Sequence, residues 1–235
     1  MIATVTPITY WTVVALAGLG CAALCATARR HPGRWRVTVA RVIGVALAAD
    51  AVSYTLSLVV GGTWSAKTSL PLALCNAIVV VAAVACWWRV PLLVELTYFC
   101  GLAGTLQALL TPDLSTGFPH LVFFEYLVGH VGIVVAALFL VVGMGRHPRP
   151  GSVPRVFAIV AAYTALVGLV DATTGANYMF LRRPPGEWTL LRLLGPWPWY
   201  VVSAAAVALV LLVLLDLPFW PERARAHDQV RAPVR

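Results

Sequence analysis

Charge is what this chain has least of: 11% of its residues are Asp, Glu, Lys or Arg, against about 25% in ordinary soluble domains. The hydrophobic share is 60% and the mean hydropathy +0.86, which excludes a soluble globular domain and a disordered one alike. Long polar stretches are missing too. Seven apolar runs, at roughly 8–27, 37–60, 69–88, 91–110, 119–143, 154–175 and 197–217, are each long enough for the 20 or so residues that a membrane helix needs. Almost nothing remains for a separate soluble domain.

Other absences narrow the reading. No cysteine falls in an outer loop: Cys21, Cys25, Cys75, Cys86 and Cys100 all lie inside apolar runs, so a disulfide framework is not expected. Cys21 and Cys25 share a helix face at i, i+4 but lack His or carboxylate neighbours, and read as packing residues rather than metal ligands. No metal or cofactor is implied. Neither an internal repeat nor a low-complexity tract is evident. The first run lacks a basic segment before it and has arginines after it, so it reads as a retained helix rather than a cleaved leader.

The charges that are present are basic on balance, with a net +8. They sit in short loops between the runs, where orientation and anionic headgroups account for them, and nucleic-acid binding is not expected. With the N-terminus outside, thirteen arginines fall on inner segments, and only Lys67, Arg182, Arg183 and Arg192 on outer ones. That bias predicts an all-α, polytopic, multi-pass bundle of about seven transmembrane helices in the cell membrane, N-terminus outside and C-terminus cytoplasmic. Residues 1–219 form the single transmembrane domain and 220–235 a basic cytoplasmic tail.

Polar groups inside membrane helices are costly and mark function or helix pairing. Asp50, Ser53, Tyr54 and Ser57 form one stripe on the second helix at i, i+3, i+4 and i+7. The third helix, which Pro71 is expected to open at the outer surface, offers Cys75 about one and a half turns in and Asn76 beside it, and the fourth Cys100, Gly104 and Gln107 on one face. On the fifth, Tyr126 shares a face with His130, whereas Glu125 lies about 140° away. Thr164, Gly168, Asp171 and Thr174 line a face of the sixth, which runs on to Asn177 and Tyr178. At about 1.5 Å per residue the alternating helices place Cys75 about 10 Å below the outer surface, His130 and Asp50 about 15 Å, and Gln107 and Asp171 about 5 Å. One cavity in the outer half of the membrane explains this convergence, with Glu95 and Asp216 near enough to the inner boundary to snorkel. A thiol with a histidine base suits acyl transfer through a thioester, with Asn76 or Gln107 orienting the imidazole or donating to an oxyanion.

Beyond the sixth helix, Arg182 and Arg183 stand as an isolated cationic pair fit for a phosphate or phospholipid headgroup. Trp197, Trp199 and Tyr200 begin the seventh helix, where such side chains favour the headgroup level.

The stretches "LPLALC", "FFEYLVGHVG", "DATTGANYMFLRRPP" and "LLGPWPWYVVS" resemble, in order and spacing, the bacterial YwaF family, which is related to vertebrate transmembrane protein 164. The resemblance spans roughly residues 10 to 217. It implies an acyltransferase-like enzyme that moves fatty acyl groups between membrane lipids, with Cys75 as nucleophile and His130 as its histidine. Two positions depart from the family pattern: Ala73 stands where a histidine often precedes the cysteine, and Pro184 where a lysine is common. Two readings follow. One is acyl transfer or hydrolysis on lipids through a Cys75 thioester. The other is a non-catalytic transporter or ligand-binding protein with a polar outer vestibule. Around Cys75 and His130, the residues expected to bind substrate or support the site are Asp50, Tyr54, Asn76, Gln107, Tyr126, Asp171, Asn177, Tyr178, Arg182, Arg183 and Trp197.

Overall fold

The computed structural model describes residues 7–110, 120–184 and 190–231. Pro119 at the head of the fifth run, Pro185 and Gly186 of the loop motif, and Arg235 of the tail lie outside these, as do the side chains of Arg192 and Arg231. The described chain is helical almost throughout. The helices are α1 (Pro7–Arg30), α2 (Trp35–Val60), α3 (Leu74–Trp88), α4 (Pro91–Leu110), α5 (Leu121–Gly143), α6 (Ser152–Thr174) and α7 (Trp199–Asp216). A short turn, Leu217–Phe219, then leads into the polar α8 (Trp220–Arg231).

Among the described residues, six helices are long and apolar enough to cross a membrane, and α3, at 15 residues, is shorter. At 1.5 Å per residue α3 covers about 22 Å of a hydrocarbon core about 30 Å thick. The expectation that Pro71 opens this helix is corrected: α3 begins at Leu74, after Ala73 in extended conformation (ψ 139°). Leu70 precedes a proline, which disfavours helical backbone there. Side chains from elsewhere then satisfy the non-helical segment. The Leu70 N–H donates to the Tyr178 hydroxyl (2.9 Å), and the Tyr163 hydroxyl donates to the Leu72 carbonyl (3.0 Å). Irregular backbone in an apolar slab persists only where protein supplies such partners.

α4 and α5 are the central pair, about half buried, while α1, α2, α6 and α7 bury under a fifth of their apolar windows. Their outward faces carry Leu16, Leu19, Val42, Leu169 and Val202, as lipid contact requires. α2 approaches α3 at Gly44, where an added Cβ would lie 2.9 Å from the Ala83 carbonyl oxygen. Small residues at such crossings let membrane helices meet closely. α4 and α5 each contain a wide turn, Gly101–Thr105 and Phe139–Gly143, with i to i+5 bonds such as Met144 N–H to the Phe139 carbonyl (2.8 Å). Each wide turn shifts the phase of the residues that follow.

At the end of the bundle where α4 starts, called here the arginine end, two carboxylates hold the elements together. Glu95, 1% exposed, accepts from Arg149 Nε (2.8 Å) and its backbone N–H (3.1 Å), and from Arg155 Nη1 (2.8 Å). Asp216 accepts from Arg223 Nη1 (2.8 Å) and Trp220 Nε1 (2.9 Å), and Arg223 also donates to the Pro148 carbonyl (2.7 Å). The expected snorkelling of Glu95 and Asp216 is therefore replaced by burial, because guanidinium groups come to them instead of water. Glu95 thereby ties α4 to α6, and Asp216 ties α7 to α8.

Removing both arginines leaves the buried Glu95 carboxylate without its cationic partners, although the half-exposed guanidinium groups let water replace part of what is lost. The Arg149→Ala, Arg155→Ala double variant is expected to be less stable, seen as a lowered unfolding midpoint in detergent. A change confined to the tail, such as Arg225→Ala, should leave the midpoint within experimental error.

Candidate functional site

Hydrogen bonds gather the polar residues of the spans into three groups, while Cys100, Gly104, Gln107 and Thr164 line one cavity. The first lies between α2 and α5. Glu125, 6% exposed, accepts from Ser53 Oγ (2.9 Å) and Ser57 Oγ (3.5 Å). The half-buried Asp50 lies against the same helix, its Oδ2 2.9 Å from where a Cβ on Gly129 would stand, a position only glycine leaves open. Tyr54 is half-buried on the same stripe. The stripe is thus turned toward α5, and the 140° offset that separated Glu125 from His130 is what aims Glu125 at α2. Sequence reasoning left Glu125 out of the site; two serines one turn apart, needing a shared acceptor, were the available signal.

The second neighbourhood surrounds the thiol. Cys75 occupies the first turn of α3, not the second, and its sulfur accepts from Thr105 Oγ1 at 3.9 Å. Thr105, 1% exposed, closes the wide turn of α4 and was not expected from the sequence; Leu74 packs near Gly104 from the same turn. Cys100, one turn back along α4, is buried and within electrostatic reach of Cys75. Asn76 is half-buried beside Cys75.

His130 lies on α5. Its Nδ1 lies 2.8 Å from the Tyr126 carbonyl oxygen. A carbonyl only accepts, so Nδ1 carries the proton and Nε2 is left as the basic nitrogen. The Tyr126 ring stacks on the imidazole at 4.1 Å between centroids and 25° between planes, and the Tyr126 hydroxyl donates to the Ala108 carbonyl on α4 (2.6 Å). Tyr126 therefore fixes the ring by its carbonyl and its face while anchoring α5 to α4. Gly101 packs on Ile133 and Val79 on Gly129, so Thr105 lies level with Gly129, next to His130, whereas Cys75, on a helix that runs parallel to α5, lies level with Glu125, about 7 Å along the bundle from His130. The hydrogen-bond partners are separate as well: Thr105 for Cys75, the Tyr126 carbonyl for His130.

The third neighbourhood is the loop after α6. Asp171, fully buried, caps it by accepting the Tyr178 N–H on Oδ1 (2.9 Å), while its Oδ2 has no hydrogen-bond partner among the described residues. The Tyr178 hydroxyl donates to the Ala66 carbonyl (2.9 Å) while accepting from Leu70. Asn177 Oδ1 accepts the backbone N–H of both Arg182 (3.0 Å) and Arg183 (3.2 Å). Trp197 Nε1 donates to the Leu181 carbonyl (3.0 Å), and the Tyr200 hydroxyl donates to the Phe180 carbonyl. The NYMFLRR motif is thus a folded clasp joining α6, α7 and the segment before α3, with both arginine side chains exposed.

A cavity of about 860 Å³ lies between α4, α6, α7 and this clasp. Leu74, Cys100, Gly104 and Gln107 line it on one side, Phe157, Ala161, Thr164 and Ala165 on α6, and Ala204, Ala208 and Leu212 on α7. Its walls are overwhelmingly apolar. The volume falls in the range of ligand pockets, about 300–1,000 Å³.

Long apolar helices, lipid-facing exteriors and an apolar internal cavity define a polytopic membrane protein. The profile of the TMEM164 family matches residues 2–216, and the chain belongs to that family. No curated protein and no solved structure matches it. The bacterial YwaF designation rests on the motif resemblance alone.

Replacing Tyr178 by Phe removes the hydroxyl that bonds both the half-buried Leu70 N–H and the exposed Ala66 carbonyl, at a cost of about 1 kcal/mol per hydrogen bond. Faster amide exchange is expected at Leu70 and its neighbours, while the α4–α5 core stays protected, as hydrogen-exchange mass spectrometry would report.

Proposed function

We propose that this protein transfers acyl groups between membrane lipids, or hydrolyses them, through a thioester at Cys75 with His130 as base. The observation that carries this reading is the apolar cavity whose wall includes Leu74, the residue next to Cys75, together with Cys100 and Gly104 beside it. Cys75 itself is not among the lining residues; Leu74 brings the start of α3 to the cavity edge. The motif resemblance to the vertebrate relative points the same way.

The steps balance with the residues present. Nε2 of His130 takes the Cys75 proton, directly or through Thr105 or one water, and the thiolate attacks the ester carbonyl of a lipid. The first turn of α3 has backbone N–H groups without an intrahelical acceptor, and these, with Asn76, are suited to hold the oxyanion. The leaving lipid alkoxide recovers the proton from the imidazolium, and a lipid hydroxyl or water then cleaves the thioester by the same route in reverse. Arg182 and Arg183 meet the phosphate of a lipid headgroup at the mouth, and the clasp end faces the outer side of the cell membrane, following the distribution of arginines.

The Asp50–Glu125 pair favours a second reading, in which the α2–α5 face serves a non-catalytic transport or binding role. In that case Asp50→Asn abolishes ligand flux and Cys75→Ser is silent.

Under the thioester reading, Cys75→Ala yields a folded protein without acyl incorporation, and His130→Gln lowers the rate by about 10²–10⁴-fold, the usual contribution of a general base. A thiol-reactive acyl-lipid probe followed by peptide mass spectrometry is expected to label Cys75. Label found solely at another cysteine, or full activity in Cys75→Ala, defeats the reading.

A further inference from the structure

The two ends of the cavity differ. At the clasp end Met179, Leu181 and Leu194 roof it, next to the exposed Arg182 and Arg183. At the arginine end the last lining residues are Phe157 on α6 and Leu212 on α7; Leu212 is 5% exposed within the main core, and Phe157 packs against that core. Between the ends the walls include five alanines, Ala161, Ala165, Ala204, Ala205 and Ala208, among larger residues such as Val160, Val201 and Leu211. Along α7 the lining runs from Tyr200 to Leu212, about 18 Å at 1.5 Å per residue. One leaflet contributes about 15 Å to a hydrocarbon core about 30 Å thick. The cavity therefore has about the length of a single lipid chain, bounded by Phe157 and Leu212 at one end and overlooked by cations at the other.

We infer that the cavity takes one acyl chain of a phospholipid and that Phe157, backed by Leu212, sets the longest chain it accepts. The length match argues for an extended chain rather than a compact apolar ligand, and the arginine pair at the roof complements a headgroup phosphate. The alanines of α7 keep the bore open, and Ala204 stands within it, one turn below Tyr200. The ligand class rests on the acyl-transfer reading above, but occupancy is separable from thiol chemistry, since neither Phe157 nor Ala204 belongs to the Cys75–His130 machinery.

The test uses the full chain reconstituted in vesicles of phosphatidylcholines of graded chain length, then extracted, delipidated and analysed for retained lipid by mass spectrometry. Wild type is expected to retain lipid with a defined upper chain length. Phe157→Ala should shift the retained chains to longer ones and Phe157→Leu should shift them less. Ala204→Phe should shift them to shorter ones or expel them, with the unfolding midpoint confirming a folded protein in each case. Cys75→Ala should keep the wild-type chain pattern, so a failure of the thiol chemistry leaves this readout intact. Wild type without retained phospholipid, or identical chain distributions in Phe157→Ala and Ala204→Phe, overturns the inference. Acyl transfer through Cys75 would stand even then.

Discussion

The fold turns on two buried carboxylates that are never left to water. Glu95 and Asp216 sit at one end of an apolar bundle, and each is met by arginine, Glu95 by Arg149 and Arg155 and Asp216 by Arg223. Hydrophobic burial has no direction and cannot hold membrane helices against one another when lipid is as apolar as leucine. Charge-assisted hydrogen bonds do have direction. By fixing α6 to α4, and the end of α7 to the turn before α6, they keep the second half of the bundle in place without close packing along its length. The middle of α6 and α7 is then free to stand off α4, and small residues there leave a cavity instead of a seam.

The opposite end is held by neutral hydrogen bonds from aromatic side chains. Tyr178, Tyr163, Trp197 and Tyr200 each reach a backbone group of the clasp or of the segment ahead of α3. That segment is the irregular backbone which delivers Cys75 at a helix start. The position of the thiol thus depends on a loop more than 100 residues away in sequence, through the two bonds of one tyrosine hydroxyl. Tyr126 plays the same part for His130, orienting the ring from below while bonding α4. The features that aim the candidate chemistry are tyrosines, and the groups that would perform it are their dependants.

Much of this was legible in the sequence, and what was not has a physical cause. Hydropathy is a local, additive property, so the seven apolar runs correspond to α1 to α7 with small shifts at the ends. The start of α3 was misplaced because Pro71 is as acceptable in a first helical turn as in a tight bend, and the deciding partners, Tyr163 and Tyr178, are distant. Thr105 was hidden because helical phase was counted at a uniform 3.6 residues per turn, whereas α4 widens at Gly101–Thr105. Glu125 was set aside correctly from the face of His130, yet its partners on α2 could be found only by docking two helices. The cavity was legible only in part: Cys100, Gly104, Gln107 and Thr164, grouped by helix face, line it, whereas Ala161, Ala165, Ala204 and Ala208 read the same whether they face a neighbour, a void or lipid.

The wall between that cavity and the surrounding bilayer is a single helix thick. On α7, Ala204 and Ala208 face inward while Val202 and Val210 are exposed on the outside. A molecule entering past such a wall never leaves the hydrocarbon, so its availability is a matter of mole fraction within a leaflet rather than concentration in water. Selection at this site would then act on a two-dimensional population that includes every lipid nearby. Under the acyl-transfer reading water would be the scarce reagent, and entry from the side would favour exchange between lipids over hydrolysis.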